Sequence, residues 1–198
     1  MKIILASQSA TRYNILKGFG ITPEVIVTGA DENITGEPEY IVKELALRKA
    51  SKAAEMLGGA SGMIIAADTV VAYGGRILGK PDGEQDAFNM LSMLSGETHE
   101  VYSGLALAYN GRTLCGFDIT RVKFKDISER EINLYIKTGD PMTRAGSYGA
   151  EGVGAAFIER IDGDFFNVAG LPVFKFVKML KDGFDLSLFD LLPEFPLP

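Results

Sequence analysis

The chain has one cysteine, one histidine and no apolar run near the roughly 18 to 20 residues that a membrane helix needs. Cys115, being alone, excludes an internal disulfide and a cysteine-rich zinc site, and its apolar setting reads as a buried strand thiol rather than a nucleophile. His99 has no second histidine and no spaced cysteine to found a zinc site, so a structural hydrogen-bonding role is expected of it. Basic excess is missing too. The 20 Lys and Arg stand against 26 Asp and Glu, a net charge of −6, which excludes a surface that coats nucleic acid by counterion release. The opening Met1-Lys2-Ile3-Ile4-Leu5 turns polar too soon for a signal peptide, and with no membrane span the expectation is a cytoplasmic protein.

What is present is apolar content of 46% in 198 residues, enough for a real core in one domain or in two small lobes around a shared cleft. Residues 3–5 read as a short strand, followed by the polar turn Ala6-Ser7-Gln8-Ser9 and a helix over 10–17 stopped by Gly18 and Gly20. A second strand is expected over 23–27, and an amphipathic helix over 37–57 with Pro38 in its first turn, ended by Gly58-Gly59. Residues 63–67 form an apolar strand, with Asp68 lying between it and a hairpin of 70–73 and 76–78 about Gly74-Gly75. Asp82 is placed to cap a helix reaching Leu94, and a second hairpin, 99–109 with 112–125, turns at Asn110-Gly111. Ser128 and Glu131 have capping-box spacing for a helix through Lys137. The glycine-rich stretch 145–154 is expected to be a loop whose backbone approaches a ligand; 155–161 is the last strand, and Pro172 opens the last helix. The proline-bearing tail from Phe184 reads as packing or a frayed end.

Four segments put charged or hydroxyl residues at element ends, where open α/β folds place their sites. Ser7, Ser9 and Arg12 lie where a strand passes into a helix, an arrangement that serves helix capping or phosphate binding. Asp68 leaves a buried strand for a polar edge, so its carboxylate serves as a Mg²⁺ ligand, a proton acceptor or a turn cap. Asp31 and Glu32 offer a second acidic pair, or an ordinary solvated loop. Lys80, held extended by Pro81, and Lys49, on the long helix, read in isolation as surface lysines.

In combination these segments resemble the Maf family of nucleotide pyrophosphatases, over nearly the whole chain from Lys2 to about Leu180. Leu5-Ala6-Ser7-Gln8-Ser9-Ala10-Thr11-Arg12 is similar to the family's LASxSPRR, and Leu45-Ala46-Leu47-Arg48-Lys49-Ala50 to its LAxxKA. Ala67-Asp68-Thr69-Val70-Val71, Gly79-Lys80-Pro81 and Met90-Leu91 to His99 resemble its ADTVV, GKP and MLxxLSGxxH. Ala145-Gly146-Ser147-Tyr148-Gly149 and the run from Gly163 to Pro172 resemble AGxYG and GDxxNVxGLP.

The resemblance implies an α/β fold with a mixed twisted sheet and flanking helices, in two lobes around a deep cleft like that of the ITPase-like enzymes. Residues 1–183 would form a single Maf-like domain, followed by a tail over 184–198. It further implies a divalent cation, Mg²⁺ or Mn²⁺, hydrolysis of a nucleoside triphosphate to monophosphate and diphosphate, and a homodimer as a candidate assembly, the alternative being a nucleotide-binding regulator of septum formation without turnover. Asp68 falls at the family's proton acceptor; Arg12, Thr69 and Glu151 at its specificity positions; Ser7, Lys49 and Lys80 at its phosphate contacts, with Ser9 beside them. Asp68, Glu32 and Asp31 are the metal candidates.

Three departures stand out. Ala10 and Thr11 replace the usual Pro and Arg, Thr143-Arg144 replaces Asp-Lys, and Glu151 stands where the dTTP/UTP branch has Gln. A carboxylate only accepts hydrogen bonds and suits the adjacent donors of guanine, as in 7-methyl-GTP, whereas Gln matches the alternating edge of uracil or thymine. Against this, Gly163-Asp164-Phe165-Phe166-Asn167-Val168 is nearer the dTTP/UTP branch, and overall likeness favours dTTP and UTP.

Overall fold

The computed structural model describes residues 1–58 and 62–192; Gly59 and the tail prolines Pro193, Pro196 and Pro198 lie outside them. A mixed seven-stranded sheet of order β2-β1-β3-β5-β6-β7, with β4 beside β3, carries flanking helices. The strands are β1 (Ile3–Leu5), β2 (Glu24–Val25), β3 (Met63–Tyr73), β4 (Arg76–Leu78), β5 (Thr98–Tyr109), β6 (Arg112–Phe124) and β7 (Ile158–Asp162). The helices are α1 (Ala10–Gly18), α2 (Pro38–Leu57), α3 (Glu84–Leu94), α4 (Glu129–Ile136), α5 (Phe165–Val168) and α6 (Val173–Phe184). The chain divides into two compact units, one of Met1–Asp68, Ser103–Asp118 and the segment from Gly170 on, the other of Thr69–Tyr102 and Ile119–Ala169.

In the first unit β1 runs parallel to both β2 and β3. Strand alternation sends Ile4, Ala6, Ile64 and Ala66 to one face, where they pack with Ala46, Ala50 and Ala53 of α2 and with Ala106 of β5. Small side chains on both surfaces let α2 lie close to the sheet. Gly104 takes this to its limit, because a Cβ there would overlap the backbone carbonyl of Val42 in α2. Ser9 caps α1, and α2 ends at Gly58 with φ 59°, the left-handed conformation that glycine adopts without a steric penalty. Cys115 is half-buried rather than fully enclosed, and its thiol donates to the Lys43 carbonyl at 3.5 Å.

The second unit has its own core of Val71, Leu91, Val101, Val122, Phe124, Ile132, Tyr135, Tyr148 and Phe157 with their neighbours. The capping box of Ser128 and Glu131 forms as expected and opens α4. Asp164 caps α5, a four-residue helix that the sequence pattern did not reveal because it is too short to show a periodicity. Buried Asn167 ties α5 to the sheet through the Val101 carbonyl at 3.0 Å and Thr120 Oγ1 at 3.1 Å, so the Gly-Asp-Phe-Phe-Asn run is a structural clasp.

Three sequence expectations are corrected. Asp68 and Thr69 lie inside one continuous eleven-residue strand, β3, because Thr and Val after the aspartate sustain the extended backbone. Gly83, not Asp82, is the N-cap of α3, while the Asp82 amide donates to Asp86 Oδ2 at 3.1 Å. The 145–154 stretch is not featureless loop: it holds the 3-10 turn Ala145–Ser147 and enters another, Gly152–Phe157, so the last strand starts only at Ile158.

Gly104→Ala is expected to cost about 2 kcal/mol or more by forcing α2 off the sheet, read as a lower urea midpoint at unchanged m-value. His99 is buried, its Nε2 2.8 Å from the Tyr148 hydroxyl and its ring packed edge-on to Phe124. Burial pulls its pKa from 6.5 to about 4. The unfolded chain therefore takes up this proton near pH 6.5 while the folded one resists until about 4, so stability is lost as pH falls through that window. About 2 kcal/mol should disappear between pH 7 and 5, and His99→Gln should flatten that slope in denaturant titrations.

Candidate functional site

Strand geometry decides where Asp68 points. It shares the parity of Ile64 and Ala66, the residues that β3 turns toward α2, and Lys49 lies on the same stripe of α2 as Ala46, Ala50 and Ala53. The two side chains meet, Lys49 Nζ donating to Asp68 Oδ1 at 2.6 Å with both only 13% exposed. Glu32 closes on the same ammonium, Oε1 at 2.8 Å, from the solvent side. Two carboxylates thus converge on one cation, an arrangement a helix and a strand can hold only if the charges compensate.

Arg12 belongs to the same electrostatic group. Burial lowers the pKa of its guanidinium, and the charges of Asp68 and Glu32 act in the opposite sense. Its Nε donates to the Gly170 carbonyl at 2.7 Å and its Nη1 to Ser7 Oγ at 3.1 Å, which fixes the side chain from the start of α1 and from a segment 158 residues away. Ser7 Oγ also accepts from the Ser9 amide at 3.2 Å, and Ser9 Oγ caps α1 through the Arg12 amide at 3.3 Å. Ser9 therefore does the capping that the spacing suggested, while Ser7 and Arg12 form a polar corner beside it.

Asp31 is held apart from this group. Its Oδ1 accepts from the Asn33 amide at 2.9 Å, its Oδ2 faces Arg48 at 3.9 Å, and its side chain is 77% exposed. Asp68 and Glu32 are hard oxygen donors close enough to face one cation, which suits Mg²⁺ or Mn²⁺. Among the described residues no group of three or more Asp, Glu, His or Cys assembles, so an ion at Asp68 and Glu32 would complete its shell with water and substrate oxygens.

Thr69, Lys80 and Glu151 belong to the second unit. Thr69 follows Asp68 in β3 and is half-buried; Lys80 is exposed. The Gly146 amide donates to the Gly79 carbonyl at 2.9 Å, pinning the Gly-Lys-Pro turn to the glycine-rich stretch, and Gly146 adopts φ 64° where a Cβ would strike Val71. Glu151 lies in an ion-pair chain that sequence reasoning missed. Tyr135 donates to Asp140 Oδ2 at 2.5 Å, Arg144 Nε and Nη2 reach Asp140 Oδ1 at 3.0 Å each, and Arg144 Nη1 reaches Glu151 Oε1 at 3.4 Å. The i,i+4 spacing of Asp140 and Arg144 was the available signal, obscured by the intervening Pro141.

The Maf-like protein family model matches residues 2–183. A dTTP/UTP pyrophosphatase of Clostridium perfringens is 45% identical over 193 residues, covering 95% of this chain and 100% of the relative. A dTTP/UTP pyrophosphatase of Bacillus cereus is 43% identical over 182 residues, covering 91% and 94% respectively. The crystal structure of a nucleoside-triphosphatase / dITP/XTP pyrophosphatase from Mycobacterium abscessus covers 98% of this chain and 100% of that one, but at a TM-score of 0.42 and 15% identity it carries no weight. The likeness thus spans almost the full length, and the motif residues Ser7, Arg12, Lys49 and Asp68 come together in one unit: the chain belongs to the Maf family.

Proposed function

We propose that this protein is a nucleoside triphosphate pyrophosphatase that hydrolyses dTTP and UTP to the monophosphate and diphosphate. The observation that carries this reading is the meeting of Asp68 and Glu32 at Lys49, within the electrostatic reach of Arg12. The names of relatives at 43% and 45% identity support the substrate class.

A triphosphate brings several negative charges, and the reaction spreads more onto the leaving diphosphate. Lys49 and Arg12 are cations suited to its oxygens, and Ser7 offers a hydroxyl beside Arg12; Lys80 is assigned to the phosphates by its place in the family's motifs alone. Water attacks the α-phosphorus, the bond from that atom to the bridging oxygen breaks, and diphosphate leaves with the oxygen. Asp68 accepts the proton of the attacking water, a role open to a carboxylate whose geometry is set by Lys49. A divalent ion held by Asp68 and Glu32, with Asp31 as an outlying third candidate, would supply charge neutralisation and a more acidic water when bound. Thr69 and Glu151 are assigned to base selection by their place in the family's motifs.

Purified protein with Mg²⁺ or Mn²⁺ is expected to release pyrophosphate from dTTP and UTP faster than from ATP, CTP or 7-methyl-GTP, and to stop on addition of EDTA. Asp68→Asn, nearly isosteric, should lower kcat by about 10²- to 10⁴-fold at a temperature where the variant is still folded, with a lowered melting temperature from the loss of the Lys49 ion pair. Full turnover in that variant would remove Asp68 from the chemistry, and 7-methyl-GTP as the best substrate would overturn the pyrimidine assignment.

A further inference from the structure

Glu151 poses a chemical problem for a pyrimidine enzyme. The uracil or thymine edge alternates acceptor, donor and acceptor, and a carboxylate offers acceptors only. Read alone, Glu151 suits the paired donors of guanine.

Glu151 is not alone in this fold. Arg144 places Nη1 3.4 Å from Glu151 Oε1, so an N–H donor stands directly beside the carboxylate acceptor. The guanidinium is not loosely placed: its Nε and Nη2 are both taken by Asp140 Oδ1 at 3.0 Å, and Asp140 is in turn held by the Tyr135 hydroxyl at 2.5 Å. The loop carrying Glu151 is fastened on both sides. The Gly149 amide donates to Tyr135 Oη at 3.2 Å, and at Gly154 a Cβ would come within 2.6 Å of the same hydroxyl and 2.5 Å of the Gly149 carbonyl. One tyrosine therefore sets both the carboxylate's loop and the cation's partner, the kind of support that fixes a recognition pair within a narrow geometry.

We propose that Arg144 is a specificity-determining residue, which with Glu151 forms a composite acceptor and donor that reads the N3–H and an adjacent carbonyl of uracil or thymine. The pair does the work of a single glutamine amide. The inference rests on the assignment of Glu151 to the base in the preceding subsection, and it explains how a carboxylate at that position is compatible with dTTP and UTP.

The test is the ratio of kcat/KM for dTTP to that for GTP and 7-methyl-GTP, which a merely structural role for Arg144 would leave unmoved. Arg144→Met should cut that ratio about tenfold or more, by stripping the donor and leaving the guanine-compatible acceptor. Glu151→Gln should hold the ratio within about threefold, and Glu151→Gln/Arg144→Met should recover it, because the amide supplies both groups by itself. Should Arg144→Met not fold, Asp140→Asn/Arg144→Met, which leaves no unpaired carboxylate and keeps an oxygen acceptor for the Tyr135 hydroxyl, is read in the same way. Equal loss on all substrates in Arg144→Met, or a double variant as altered in ratio as the single, overturns the proposal. Kd values for non-hydrolysable dTTP and GTP analogues supply the same ratio without turnover. An inactive wild type whose binding ratio still shifts in Arg144→Met would defeat the pyrophosphatase reading and leave this one standing, and an unshifted binding ratio would defeat this one.

Discussion

An ammonium shared by two carboxylates is the constraint on which the first unit's polar chemistry depends. Lys49 and Asp68 are each 13% exposed, so neither charge has a full water shell, and each is tolerable only because the other is there. Glu32 adds a second negative charge at the same point and leaves the group with an excess of one, which Arg12 offsets from a semi-buried position. Such a group is electrostatically poised: a phosphate offers Lys49 and Arg12 new partners, and a divalent ion offers them to the carboxylates.

The fold produces this convergence with ordinary means. Alternation along β3 carries Asp68 to the α2 face, an alanine stripe on α2 and the missing side chain at Gly104 bring the helix close, and Lys49 spans the remaining gap. Arg12 needs a further restraint because its stem is long and flexible. Ser7 and the Gly170 carbonyl provide it from opposite ends of the chain, which gives the Gly-Leu-Pro motif a positioning role besides starting α6.

The second unit solves a different problem, the rigid presentation of a loop rich in glycine. Flexible backbone is useful for close approach and costly for precision. Here Tyr135, Asp140 and Arg144 brace the loop, the Gly79 carbonyl ties it to the Lys80 turn, and Tyr148 anchors it in the aromatic core beside His99 and Phe124. Glu151, the residue that departs from the pyrimidine pattern, is thereby matched by Arg144, which also departs from its family's motif. The two departures are in contact.

Local sequence determined the elements whose signals are short-range. Positive-φ pairs at Gly74-Gly75 and Asn110-Gly111 turned the hairpins, Ser128 and Glu131 closed a capping box, and the amphipathic period of α2 was readable, because each depends on neighbours within four residues. The candidates Ser7, Arg12, Lys49, Asp68 and Glu151 were nameable from motifs, yet their partners were not. Only tertiary structure paired Arg12 with Gly170, set Glu32 rather than Asp31 on Lys49, and joined Arg144 to Glu151. Those pairings answer to burial and to charge compensation across long loops, and no local pattern encodes which of two adjacent carboxylates a folded backbone will turn toward a buried cation.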